Sequence, residues 1–117
     1  MKVIIAGSRD IIDFWKIVPF IKEGFEQLNI ENAPQIVSGC ANGMDKIGES
    51  LAEFCGYDLK KFPADWNKHG KAAGPIRNKQ MAEYADAAIV IHNGSRGSLN
   101  MIEQMKKLNK PVFVKEV

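Results

Sequence analysis

The chain has 117 residues, 45% of them hydrophobic and 26% charged, with a formal net charge of +2. That length fits one compact domain, residues 1–117, and the apolar share is enough for a core, which excludes intrinsic disorder. Acids and bases are interspersed and the net charge is small, so nucleic acid, whose binders carry a basic stripe, is not an expected partner.

Val3, Ile4, Ile5 and Ala6 form a short apolar run stopped by Gly7, Ser8 and Arg9, the pattern of a strand buried on both faces. The run is too short for a signal segment or a membrane span, so no membrane association is expected. Asp13 is placed to cap a helix whose apolar positions Phe14, Ile17, Val18, Ile21, Phe25 and Leu28 recur at three- and four-residue steps. Trp15 falls on the apolar side of that helix in this reading and is structural. A second strand covers residues 35–38 and leads into Gly39, Cys40, Ala41, Asn42 and Gly43. The next helix covers residues 44–54 and stops at Gly56. A third strand follows at 57–62 and an irregular stretch at 63–74. A helix then runs to about Tyr84, with Pro75 near its first position. Residues 86–91 make a fourth strand, residues 93–98 a polar turn, and a last helix runs to about Leu108 before a fifth strand at 111–115. Cys40 and Cys55 have neither CxxC spacing nor clustered histidines, which argues against zinc and disulfides and fits a reducing cytoplasm.

Strands alternating with helices of this length give a parallel sheet covered on both faces. The expected fold is a single Rossmann-like three-layer α/β/α sandwich around a mostly parallel five-stranded sheet. In such sheets ligands sit at the carboxyl ends of the strands. The glycine-rich and charged segments all fall there: Gly7, Ser8 and Arg9 after the first strand, and Ser38, Gly39, Cys40, Ala41, Gly43 and Asp45 after the second. Asp65, Trp66, Lys71, Gly74, Arg77 and Asn78 follow the third, and Gly94, Ser95, Arg96, Gly97 and Ser98 the fourth.

A single loop glycine is explained equally well by turn geometry, but convergence of these loops on one edge points to a pocket. Small residues let backbone N–H groups approach an anion, and helix N-termini favour one. Residues 39–45 match neither a Walker A loop nor the GxGxxG fingerprint. Arg9 and Arg77 are the leading anion ligands because a guanidinium forks onto phosphate; Lys71 is a weaker candidate. Asp45 is either a ribose or loop ligand or simply a favourable charge at a helix start. Trp66 either stacks on a base or covers the core. Cys40 near a helix start either has a lowered pKa or, as is more common, is simply small enough to fit. His69 and His92 are not spaced as a metal pair and are assigned no catalytic role. No metal site is evident, although Asp10, Asp45 and Asp65 are carboxylates that could hold magnesium alongside a phosphate.

These segments together resemble a known family. Gly-Ser-Arg, Ser-Gly-x-Ala-x-Gly-x-Asp, Ala-Asp-Trp, Gly-Lys-x-Ala-Gly-Pro-x-Arg-Asn-x-x-Met and Gly-Ser-x-Gly-Ser, spread over residues 7–101, are similar to the YspA/cpYpsA-related branch of the SLOG superfamily. The resemblance implies a Rossmann-like domain that binds nucleotides or nucleotide-derived signals. It also implies kinship with Lonely Guy phosphoribohydrolases, which cleave the N-glycosidic bond of nucleoside monophosphates and are homodimers. Their conserved arginine is matched by Arg77. Their Pro-Gly-Gly-x-Gly-Thr-x-x-Glu block reads Asn-Gly-Ser-Arg-Gly-Ser-Leu-Asn-Met here, at residues 93–101. Ser98 can replace the threonine, but Met101 cannot replace the catalytic glutamate, because a thioether neither donates a proton nor stabilises positive charge. Glu103, two residues on, lies about 200° further round a helix.

The leading expectation is therefore a sensor or binding module for a nucleotide or nucleotide-derived small molecule. The alternatives are an N-glycosidase that uses Asp45 or Asp65 as its acid, and an interaction subunit with a vestigial pocket. From the resemblance, self-association as a homodimer or higher homo-oligomer is a candidate assembly, with residues 76–84 and Trp66 contributing to its surface.

Overall fold

Residues 1–117 are described by a computed structural model, and the strands form where apolar β-branched residues cluster. β1 (Lys2–Gly7) and β4 (Ala87–His92) are almost wholly buried, as befits central strands covered on both faces. They are flanked by β2 (Gln35–Ser38) and the short β3 (Leu59–Lys61) on one side and by β5 (Val112–Glu116) on the other. The order is β3-β2-β1-β4-β5 and every pairing is parallel. The chain moves outward from β1 to β3 and then returns to the far side of β1, so the strand order reverses between β1 and β4. This is the Rossmann-like three-layer sandwich.

Period-two alternation divides the sheet's side chains between two layers. Val3, Ile5, Ile36, Ile89 and Ile91 face α1 (Phe14–Gln27) and α2 (Met44–Cys55), meeting Ile17, Ile21, Ile47 and Leu51. Ile4, Ala6, Val37, Ala88 and Val90 face the opposite way, toward α4 (Ala73–Tyr84) and α5 (Arg96–Lys107), meeting Met81, Ala82, Met101 and Met105. Asp13 caps α1 by accepting from the Lys16 N–H at 3.3 Å, and Gly56 ends α2 in the left-handed conformation with φ of 72°. Lys110 closes the end of α4: its Nζ donates to the carbonyls of Ala82 and Ala85 at 2.8 Å and of Glu83 at 3.0 Å. No helix is long and apolar enough to cross a membrane.

Three local expectations are corrected. The third strand is confined to Leu59–Lys61, and Tyr57 packs instead on Phe25 at 6.4 Å. The stretch expected to be irregular holds α3 (Trp66–His69) and a 3-10 turn (Gly70–Ala72), and α4 begins at Ala73, which puts Pro75 inside its first turn. Trp15 is 69% exposed rather than on the core side, and rests edge-on against Phe14 and Phe54. Ile17 and Ile21 define the buried stripe, and a residue two before Ile17 lies on the opposite side of the helix.

Candidate functional site

The carboxyl ends of β1 and β4 are joined through Ser8. Its N–H donates to the Ile91 carbonyl at 3.3 Å, and its Oγ accepts from the Asn93 N–H at 2.9 Å and donates to Ser95 Oγ at 3.1 Å. Ser95 Oγ lies 2.6 Å from Ser98 Oγ, so three hydroxyls run from the first loop into the start of α5. On its other side the Ser8 carbonyl accepts from the Met44 N–H at 3.3 Å. Gly43 makes that junction possible. Its φ is +76°, and a Cβ there would lie 2.4 Å from the carbonyl oxygens of both Ser8 and Arg9.

The early start of α4 places Arg77 and Asn78 just past its first turn, with only 9% and 6% of their surface exposed. Arg77 reaches across to the end of β2, where Nη1 donates to the Gly39 carbonyl, and Nε donates to Asn78 Oδ1 at 2.9 Å. Asn78 Nδ2 in turn donates to the Gly97 carbonyl at 3.2 Å and to Asn100 Oδ1 at 3.1 Å, tying α4 to α5. A Cβ at position 39 would stand 2.6 Å from Arg77 Nη1 and 2.9 Å from Asp45 Oδ2, so any larger residue there would push the guanidinium or the carboxylate aside. Arg77 Nη2 has no partner in the protein and is not sealed from solvent. Asp45 is buried in the first turn of α2 and accepts from the Ala41 N–H at 3.1 Å. Burial pushes its carboxyl up to about 6, against the pull of that N–H and of Arg77.

These groups surround a cavity of about 400 Å³ at the β1/β4 reversal. Ser8, Arg9, Asp45, Arg77, Ser95 and Ser98 give it polar walls, and Ala6, Met81 and Met101 give it an apolar floor. A neighbouring cavity of about 270 Å³ is bounded by Gly39, Cys40, Pro63 and Trp66. Arg9, Ala41 and Arg77 border both, so the two arginines stand on the ridge between them.

Of the expected site residues, Gly7, Ser8, Arg9, Ala41, Asp45, Arg77, Asn78, Ser95, Gly97 and Ser98 line the larger cavity; Gly39, Cys40 and Trp66 line the smaller. Ser38, Gly43, Asp65, Lys71, Gly74, Gly94 and Arg96 line neither. Ser38 lies beneath, donating to Glu49 Oε2 at 2.6 Å. Asp65 caps α3 by accepting from the Lys68 N–H at 3.0 Å, and Lys71 and Arg96 are exposed. Of the two readings of Cys40, the lowered pKa is overturned: burial pushes the thiol up, and Glu49 adds to the effect. Cys40 precedes the Gly43 N-cap, so the helix start does not act on it directly.

The cavity also includes Asp10, considered only as a carboxylate for magnesium, and residues not expected as ligands: Met81, Asn93 and the floor residue Met101. Asn93 Nδ2 donates to both carboxylate oxygens of Asp10, at 2.8 and 3.0 Å. Their signal was position alone, immediately past the ends of β1 and β4. No group of three or more His, Cys, Asp or Glu is placed to hold a metal ion. His92, also passed over, accepts at Nδ1 from the Gly94 N–H at 2.9 Å.

No protein-family model matches the chain, and no solved structure gives a significant match. The chain is similar to a curated protein, the HTH-type transcriptional regulator GlxA of Rhizobium meliloti (strain 1021), with 30% identity over 78 residues, 61% of this chain and 24% of that protein. The match thus spans about a quarter of that relative's length.

Proposed function

We propose that this chain is a SLOG-type domain that binds a nucleotide or nucleotide-derived phosphorylated ligand at the carboxyl ends of its strands. The observation that carries the reading is the pair of guanidiniums on the ridge between the two cavities. Burial pushes the Arg77 guanidinium below its ordinary value; Asp45 opposes this and Arg9 adds to it. An anion seated between the two arginines relieves both the repulsion and the desolvation, and the unpartnered Nη2 supplies a charge-assisted donor. The start of α5, with Ser95 and Ser98, adds hydroxyls and backbone N–H groups on the facing wall. A cavity of about 400 Å³ is within the usual range for small-molecule sites. The same reading makes the protein a cytoplasmic binding module, with both cysteines free, and a homodimer. Titration calorimetry against purine, pyrimidine, cyclic and ADP-ribose-type nucleotides tests it. Heat is expected with at least one of them, and none from folded protein contradicts the reading.

One observation favours a second reading, an N-glycosidase acting on nucleoside monophosphates. Asp45 lies in the cavity with its pKa raised to about 6, where a carboxyl can carry a proton near neutral pH. Asp65 does not serve, since it caps α3 outside both cavities. Chromatography of incubated monophosphates separates the two readings: a released base that vanishes in Asp45→Asn protein supports the enzyme, and intact nucleotide supports binding alone.

A further inference from the structure

The two arginines on the ridge are held differently. Arg77 is buried and bonded to Gly39 and Asn78, whereas Arg9 is exposed and its guanidinium makes no hydrogen bond or ion pair. The Arg9 guanidinium instead lies over the indole of Trp66, 5.9 Å from the ring centroid. Trp66 is 50% exposed and belongs to neither core cluster. Asp65 caps the short helix that Trp66 begins, and the indole Cη2 reaches over the start of α4, 3.5 Å from where a Cβ on Gly74 would be. A half-exposed indole that borders a cavity and covers no core presents an aromatic platform to solvent.

We propose that the smaller cavity is a base pocket in which Arg9 occupies the Trp66 face until a purine nucleotide displaces it, whereupon the released guanidinium closes on the ligand's phosphate. The proposal rests on the nucleotide reading above and adds where each part of the ligand sits. A guanidinium is planar and stacks on aromatic faces, so it and a base compete for the same surface. The purine is the stronger competitor, because base–aromatic stacking gives more than an exposed cation–π contact. Asn42 lines the smaller cavity and its side-chain amide, bonded to nothing else in the protein, is available to the edge of a base, while the larger cavity, with its three hydroxyls, suits sugar and phosphate. Arg9 borders both cavities, so it moves from one role to the other without leaving the cleft. Arg77 is the fixed half of the anion site and Arg9 the movable half.

The chain has two tryptophans, so a Trp15→Phe protein reports on Trp66 alone. In that protein AMP is expected to change Trp66 emission, and ribose 5-phosphate, titrated in parallel by calorimetry, to bind without doing so. Trp66→Ala is expected to weaken AMP binding about tenfold and leave ribose 5-phosphate unchanged. Arg9→Ala is expected to move two ligands in opposite directions: adenosine binds about twofold to fivefold tighter because its competitor is gone, and AMP binds weaker. UMP, with the smaller ring, is expected to bind more weakly than AMP. Several outcomes overturn the proposal: AMP binding that leaves Trp66 emission unaltered, equal losses of adenosine and AMP affinity in Arg9→Ala, or UMP binding as tightly as AMP. Ribose 5-phosphate and AMP binding alike, with Trp66→Ala harmless to both, refutes the base pocket but leaves the phosphate site standing. Absence of heat with every ligand refutes both.

Discussion

The layer of α1 and α2 meets the sheet mainly with Ile17, Ile21, Ile47 and Leu51, beside Met44 and Ala52, whereas the layer of α4 and α5 meets it mainly with Met81, Met101, Met105 and alanines, beside the half-buried Ile102. The first is a branched, shape-specific interface. The second uses small and unbranched side chains, and at the carboxyl end of the sheet gives way to buried Arg77 and Asn78. Branched apolar packing and the buried polar pair are thus weighted to opposite faces of one sheet. Asp45, in the first turn of α2, is the point where the apolar layer contributes a charge to the cleft. Alanines and methionines beside the cleft leave room for a guanidinium to reach across from α4 to β2, which a second isoleucine-rich layer would have filled.

The comparison is most directly strained by truncating each layer. Ile21→Ala is expected to cost about 3–4 kcal/mol and Met105→Ala about 2–3, because a branched, fully buried contact leaves the less collapsible cavity. Equal losses in denaturant titration would erase the distinction between the layers.

Asp45→Asn probes the buried charge that α2 contributes to the cleft. A carboxyl whose folded pKa is raised from 3.8 to about 6 stays protonated in the folded state after the unfolded chain has lost its proton. Stability from this group therefore falls as pH rises from about 4 to 6 and stays low above that. The asparagine variant should lack that decline and be more stable than wild type at pH 7–8, by at most about 3 kcal/mol. Urea midpoints at pH 4, 6 and 8 check this, and parallel pH profiles for the two proteins would count against it.

Lys110→Met removes the three bonds that close α4 and is expected to cost about 1–2 kcal/mol. Thermal unfolding measures it, and an unchanged midpoint would mean that water replaces the ammonium without loss. Trp15→Phe should fall within about 0.5 kcal/mol of wild type because the indole is mostly solvated. A larger loss by the same measurement would show that the edge-on contacts with Phe14 and Phe54 carry energy.

The order of elements was legible because apolar runs and helical periodicity are local, as were the Asp13 cap and the Gly56 stop. The convergence of loops was legible because a βα alternation puts every strand's carboxyl end on one edge. What was missed depends on distance or on detail. Residues 66–72 are polar and aperiodic, so nothing in them announces α3 or the 3-10 turn. The closure of α4 by Lys110 joins residues far apart in the chain. Trp15 was misplaced by its neighbours: Phe14 and Ile17 look like its stripe until the helix is wound. Cys40 was judged from its nearness to α2, but its burial and Glu49 govern the thiol.

The claim that Arg77 is the fixed half of an anion site is tested most directly by calorimetric titration of purine nucleoside mono- and diphosphates into wild-type and Arg77→Gln protein, with circular dichroism confirming that both are folded. A single charge-assisted donor lost from a buried site should weaken binding about tenfold to a hundredfold. Equal affinity for the two proteins, or no heat from folded wild type, would contradict the account.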